Sequence, residues 1–140
     1  MFVLDTNILS ALMAPERASQ VVAWVAGHSS RSLFTTAVCE AEILAGIAVM
    51  PEGRRRAALE GTARAMFEED FHGRVLPFDA AAASAYAEIF AVRKLAGRPI
   101  APLDLIIAAI ARAQHASVVT RDTEGFEDCG LTIINPWQEP

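Results

Sequence analysis

Phe2-Val3-Leu4 is a short apolar run that breaks off at Asp5-Thr6-Asn7. A strand this short with no polar alternation has no face to give to water, so it reads as a strand covered on both sides. Four later runs have the same character: Ser32-Leu33-Phe34-Thr35, Arg74-Val75-Leu76-Pro77-Phe78, Ser117-Val118-Val119-Thr120 and Leu131-Thr132-Ile133-Ile134. Helical stretches separate them, and strands joined by helices pair in parallel with helices on both faces. The expectation is one α/β domain over residues 1–140, without repeat, low-complexity tract or linker.

The helices are marked by their ends. Pro15 begins a stretch through Trp24 and Val25, with Val21, Val22 and Val25 as its apolar stripe and Gly27 as its stop. Thr36 stands where an N-cap belongs for a helix from Ala37 to about Val49. After the Pro51-Glu52-Gly53 turn, Arg54 to Phe71 reads as helical, with Leu59, Ala63, Met66 and Phe67 on one side. Asp79 caps Ala80 to Leu95, Gly97 closes it, and Pro102 sits in the first turn of a helix running to about His115. Pro77 predicts that the third strand stops pairing there or lies at an edge.

Composition narrows the class. The 140 residues carry a formal charge of −5 and are 53% hydrophobic, which excludes disorder and argues against a broad basic surface that coats duplex DNA or an anionic membrane. Cys39 and Cys129 have no CxxC or Cys/His spacing, so zinc is not expected. The opening lacks a basic segment and a long apolar segment, and Ile100 to Ala111 contains Asp104 and is too short to span a bilayer. A cytoplasmic protein with no membrane association is the expectation.

The acids carry the functional signal. Ligands of an open parallel sheet bind outside the carboxyl ends of its strands. Asp5 follows the first strand, Asp122 follows the fourth, and Asp104 lies in the first turn of its helix, all at that edge. Glu42 interrupts the apolar stretch Ala41-Glu42-Ile43-Leu44-Ala45-Gly46-Ile47, where a solvated face does not explain it. Singly, each aspartate has a local explanation: Asp5 as a cap, Asp104 facing the helix dipole, Asp122 in an Asx-turn. Four acids at one edge repel unless protons or a cation neutralise them, and oxygen donors alone select Mg²⁺ or Mn²⁺ over zinc. The histidines, His28, His72 and His115, show no ligand spacing and read as loop or helix-end residues. No P-loop or dinucleotide motif is present.

Taken in order, Leu4-Asp5-Thr6-Asn7, Ala41-Glu42-Ile43-Leu44-Ala45-Gly46, Ile100-Ala101-Pro102-Leu103-Asp104-Leu105-Ile106-Ile107, Thr120-Arg121-Asp122-Thr123 with Phe126, and Asn135-Pro136-Trp137 resemble the motifs of PIN-domain toxins of the VapC type, FitB-like branch. Pro102 and Leu103 replace the small residues often found before the third acid. The resemblance implies a three-layer α/β/α sandwich around a five-stranded parallel sheet. It also implies Mg²⁺ or Mn²⁺ held by Asp5, Glu42, Asp104 and Asp122 for endonucleolytic cleavage of RNA. In this reading Asp5 and Asp104 are direct ligands, Glu42 and Asp122 complete the shell directly or through water, and Thr6, Asn7 and Thr120 are candidates to orient the carboxylates, with helix capping and turn bonding as an equally simple account of these three. It further implies a homodimer and a cognate antitoxin encoded nearby, DNA-binding, whose basic C-terminal segment covers the acidic site.

Arg54, Arg55 and Arg56, with Arg64 on the same helix, are the candidate track for the RNA backbone; a solvated helix face is the simpler account, as it is for Arg93, Lys94 and Arg98. Base stacking finds no obvious aromatic. A haloacid-dehalogenase-like phosphatase would need a second aspartate where Asn7 stands, and a receiver domain would need a lysine where Arg121 stands. The remaining alternative is a catalytically silent PIN-like module kept for partner binding. Two divalent ions on the acids would bring the charge from −5 to about −1.

Overall fold

A computed structural model describes residues 1–138. Its strands are β1 (Phe2–Leu4), β2 (Leu33–Thr36), β3 (Val75–Leu76), β4 (Ser117–Val119) and β5 (Ile133–Ile134). Its helices are α1 (Thr6–Met13), α2 (Ser19–Ala26), α3 (Ala37–Ala48), α4 (Arg54–Ala65), α5 (Ala80–Leu95) and α6 (Pro102–Ala113). The strands form one sheet in the order β3-β2-β1-β4-β5, and every pairing is parallel. The α/β sandwich with a five-stranded parallel sheet is therefore as expected.

The topology follows from the connections. The chain steps outward from β1 to β2 to β3, then crosses back to β4 beside β1. Right-handed crossovers put the helices of the first half on one face and α5 and α6 on the other. The strand order reverses between β1 and β4, whose register pairs Leu4 with Val119. Val3, Leu4, Val118 and Val119 are fully buried beneath both helical layers, as are Ile8, Leu9, Ile89, Ile107 and Phe126. Pro77 follows a two-residue β3 at the sheet's edge, so strand length and position both agree with that proline.

Several boundaries differ from the sequence reading. The stretch from Pro15 divides into a 3₁₀ turn, Pro15–Arg17, and α2, with a break at Ala18. Val22 in α2 is on the exposed side, so the expected stripe narrows to Val21 with partial cover for Val25. The stretch from Arg54 leaves α-helical geometry after Ala65 and widens into a π turn, Met66–Asp70. A regular helix through this segment would turn Asp70 toward the core in step with Ala63, Met66 and Phe67. The wider turn leaves Asp70 exposed and buries Phe71 instead. Helix α1 begins at the cap expected at Asp5, whose carboxylate accepts from Thr6 N–H. Thr36 caps α3 through Cys39 N–H, and Asp79 caps α5 through Ala82 N–H.

Candidate active site

Asp5 leaves the end of β1 and is 5% exposed. Its Oδ1 accepts from Thr6 N–H at 2.8 Å, and its Oδ2 accepts from Thr120 Oγ1 at 2.7 Å and Asn7 Nδ2 at 3.4 Å. Thr120, fully buried at the end of β4, also accepts from Asn7 Nδ2 at 3.1 Å and from Asp122 N–H at 3.0 Å. Asn7 returns the bond across the strands by accepting Arg121 N–H at Oδ1, 3.1 Å away. One aspartate, one threonine and one asparagine thus clamp the ends of β1 and β4, where the topological reversal opens a crevice.

The other acids come from three more segments. Glu42, on the second turn of α3, accepts from Thr6 Oγ1 at 2.8 Å, which ties α3 to the start of α1. Asp104 lies in the first turn of α6, where the helix dipole favours a negative charge. Asp122 accepts Gly125 N–H at 3.1 Å in the turn after β4. That carboxylate lies so close over Gly125 that a Cβ there would stand 2.6 Å from Asp122 Oδ2, so position 125 must be glycine if the acid is to keep this place.

The four charges feel one another. Burial lifts the Asp5 carboxyl above its ordinary range against the hydrogen bonds from Thr120 and Thr6, and the charges of Glu42 and Asp122 add to the rise. Asp104 is pushed up to about 6, by burial first and then by Asp5, Asp122 and Glu42. Among the described residues, no three His, Cys, Asp or Glu side chains close into a ready-made cage for a metal. An open set of carboxylates is nonetheless what Mg²⁺ accepts, since that ion keeps several waters and takes few protein ligands beside substrate phosphates. The donor chemistry and the mutual repulsion fit Mg²⁺ or Mn²⁺, with Asp5, Glu42, Asp104 and Asp122 as the groups to hold it.

Several arginines differ from the solvated helix faces expected of them. Arg93 is 5% exposed instead of solvated. Its guanidinium donates to the carbonyls of Arg98 (2.6 Å), Glu127 (2.7 Å) and Gly125 (3.3 Å), fastening the segment that contains Gly125. Arg98 pairs with Glu127 and Asp128. Arg54 and Arg55 are exposed on α4, while Arg56 pairs with Glu60 and donates to Met50 O. Trp137, part of the C-terminal motif, also stands at this edge, in a pairing the motif does not show: the Arg121 guanidinium carbon lies 4.5 Å from the centroid of its ring. Their separation along the chain hid the pair. His28, expected in a loop, is half-buried and stacks on Trp24 with centroids 3.9 Å apart.

A parallel sheet of order 3-2-1-4-5 with carboxylates near the point where the order reverses is a doubly wound α/β fold with an acidic edge, and residues 2–130 match the PIN domain family. The chain belongs to that family, on its VapC and FitB toxin branch. It is 41% identical to VapC ribonuclease Y4jK of Sinorhizobium fredii, over 99% of both chains. It is 34% identical to Toxin FitB of Neisseria gonorrhoeae, over 99% of this chain and all of that one. A chain in the structure of FitAB bound to the IR36 DNA fragment superposes with a TM-score of 0.93 at 34% identity, covering 100% of this chain and 98% of that chain.

Proposed function

We propose that this chain is a Mg²⁺- or Mn²⁺-dependent endoribonuclease, the toxin of a type II toxin–antitoxin pair, hydrolysing phosphodiester bonds in RNA. The observation that carries the reading is the meeting of Asp5, Glu42, Asp104 and Asp122, from four separate segments, at the reversal of strand order. Relatives named as a VapC ribonuclease and as Toxin FitB support it.

When bound, a divalent ion activates water, neutralises phosphate charge and stabilises the leaving oxygen. The chain's own residues prepare for this. Thr120 and Thr6 fix the Asp5 carboxylate by opposite oxygens, and Thr6 also orients Glu42. Asp104 accepts no side-chain or backbone hydrogen bond among the described residues, which leaves its oxygens available to a cation.

A cognate antitoxin completes the proposal. A largely apolar cleft of about 290 Å³, lined by Met13, Ile43, Ile47, Met50 and Leu59, also has Thr6 and Glu42 in its lining. A protein segment seated there would place a basic side chain against the carboxylates and block the site. Homodimerisation belongs to the same proposal: Phe78, Tyr86 and Phe90 form a ladder with centroids 6.1 and 6.4 Å apart, and Phe78 and Phe90 are each 45% exposed. So does a cytoplasmic location, to which two free, buried cysteines are suited. Among the described residues no helix is long and apolar enough to cross a membrane.

The deciding experiment incubates purified protein with single-stranded RNA, including structured tRNA and rRNA loops, in Mg²⁺ or Mn²⁺. Wild type is expected to cut at least a hundredfold faster than Asp5→Asn, the order expected when a site loses a group that orients or stabilises the reacting centre. Equal rates on every substrate would refute the nuclease reading.

A further inference from the structure

Arg121 stands between the threonine that holds Asp5 and the acid Asp122, so its side chain starts from the same crevice as the carboxylates. Its backbone is pinned by Asn7 Oδ1 at 3.1 Å, and its exposed guanidinium lies over the Trp137 ring at 4.5 Å. Trp137 is itself fixed. Its N–H donates to Asn135 Oδ1 at 2.9 Å, its carbonyl accepts from Gln20 Nε2 at 3.3 Å, and its ring packs against the core.

Arg56, Arg93, Arg98 and Arg112 direct N–H groups to protein carboxylates or carbonyls. The Arg121 guanidinium, among the described residues, donates to no protein acceptor. A guanidinium lying on an aromatic ring keeps its charge and its in-plane fork of N–H groups, and that fork matches two oxygens of a phosphate. The placement also answers an electrostatic problem: four carboxylates repel a phosphodiester, and a fixed cation at their border draws the strand in.

We propose that Arg121, held over the Trp137 ring, binds a backbone phosphate of the RNA strand beside the scissile bond; this rests on the ribonuclease reading above. The ring holds the guanidinium in place, so the arginine meets the phosphate already oriented and loses little freedom on binding.

The test measures binding apart from cleavage. Asp104→Asn protein, Asp104→Asn/Arg121→Gln and Asp104→Asn/Arg121→Lys are titrated by fluorescence anisotropy with a labelled single-stranded RNA of mixed sequence, over a series of salt concentrations in Mg²⁺. Melting at the temperature of the Asp104→Asn parent checks that each double variant is folded. The Gln variant is expected to bind about tenfold more weakly at low salt, as loss of one charge-assisted hydrogen-bonded contact implies. Its slope of log affinity against log salt should be shallower by about 0.7, the loss of one phosphate contact on a single strand. The Lys variant keeps the charge, so it should keep the slope while losing part of the affinity. Equal affinity and slope in parent and Gln variant would overturn the proposal. A weaker affinity with an unchanged slope, or no RNA binding by the parent, would overturn it as well. Cleavage by wild type is scored separately: Arg121-dependent binding without any cleavage removes the nuclease reading and leaves the phosphate contact standing.

Discussion

Asp104 holds its proton to about pH 6 in the folded protein, against an ordinary value of 3.8, because burial and three neighbouring carboxylates disfavour its charge. The folded state therefore binds this proton over a range where the unfolded chain has released it. Stability falls as pH rises from about 4 to about 6, and the penalty persists above that range. Metal-free wild type should lose melting temperature across this window, and Asp104→Asn should flatten the decline and melt higher at pH 7. Mg²⁺ or Mn²⁺ should raise the wild-type melting temperature at pH 7 by mass action and raise that of Asp104→Asn much less. Identical pH profiles and metal responses in the two proteins would remove Asp104 from the site. The positions of the acids were legible because each follows a strand or opens a helix, or, for Glu42, interrupts an apolar run. Their coupling was not, because it depends on burial and on distances across β1, β4, α3 and α6.

At the scale of elements, the end of α5 and the segment after β4 are joined by the buried Arg93 and, at the surface, by the Arg98 pairs with Glu127 and Asp128. Arg93 joins the Arg98 carbonyl to those of Gly125 and Glu127, and Gly125 N–H in turn holds Asp122. Replacing it with glutamine removes the buried guanidinium that donates to these three carbonyls. Arg93→Gln should destabilise the protein by roughly 2–3 kcal/mol, read from urea denaturation, the cost of losing hydrogen bonds made by a buried charged group. A change under about 0.5 kcal/mol, the range of ordinary surface substitutions, would show that the arginine does not fasten this segment. Helical periodicity placed Arg93 in a helix near its end but could not show that a distant turn folds over it. The same limit explains the π turn after α4, where the need to bury Phe71 overrides the regular repeat. Short strands were legible from composition, and their exact ends were not, because pairing with neighbours sets them.

For the whole molecule, the exposed aromatics Phe78 and Phe90 are the feature that a lone domain least explains. If they form the dimer face, Phe90→Glu should shift wild type from dimer to monomer in sedimentation at micromolar concentration while melting stays within a few degrees. A wild-type monomer, or a variant that remains dimeric, would exclude that face. The formal charge of −5 takes on a different meaning at this scale. Four of the acids lie at one edge of the sheet, so on the proposed reading the global value would describe a cation site as much as a surface that repels RNA.

By itself the sequence determined the α/β class and the parallel sheet, and it singled out the four acids proposed as the site. Alternation of short apolar runs with capped helices admits few other folds, and an acid just past a buried strand has only the carboxyl edge to occupy. Tertiary structure alone decided that β1 and β4 are neighbours, that Thr120 and Asn7 clamp Asp5 between them, that Arg93 is buried, and that Arg121 lies on Trp137. Each of these is a contact between residues far apart in the chain. Local propensity carries no information about such contacts, and the packing of the whole core creates them.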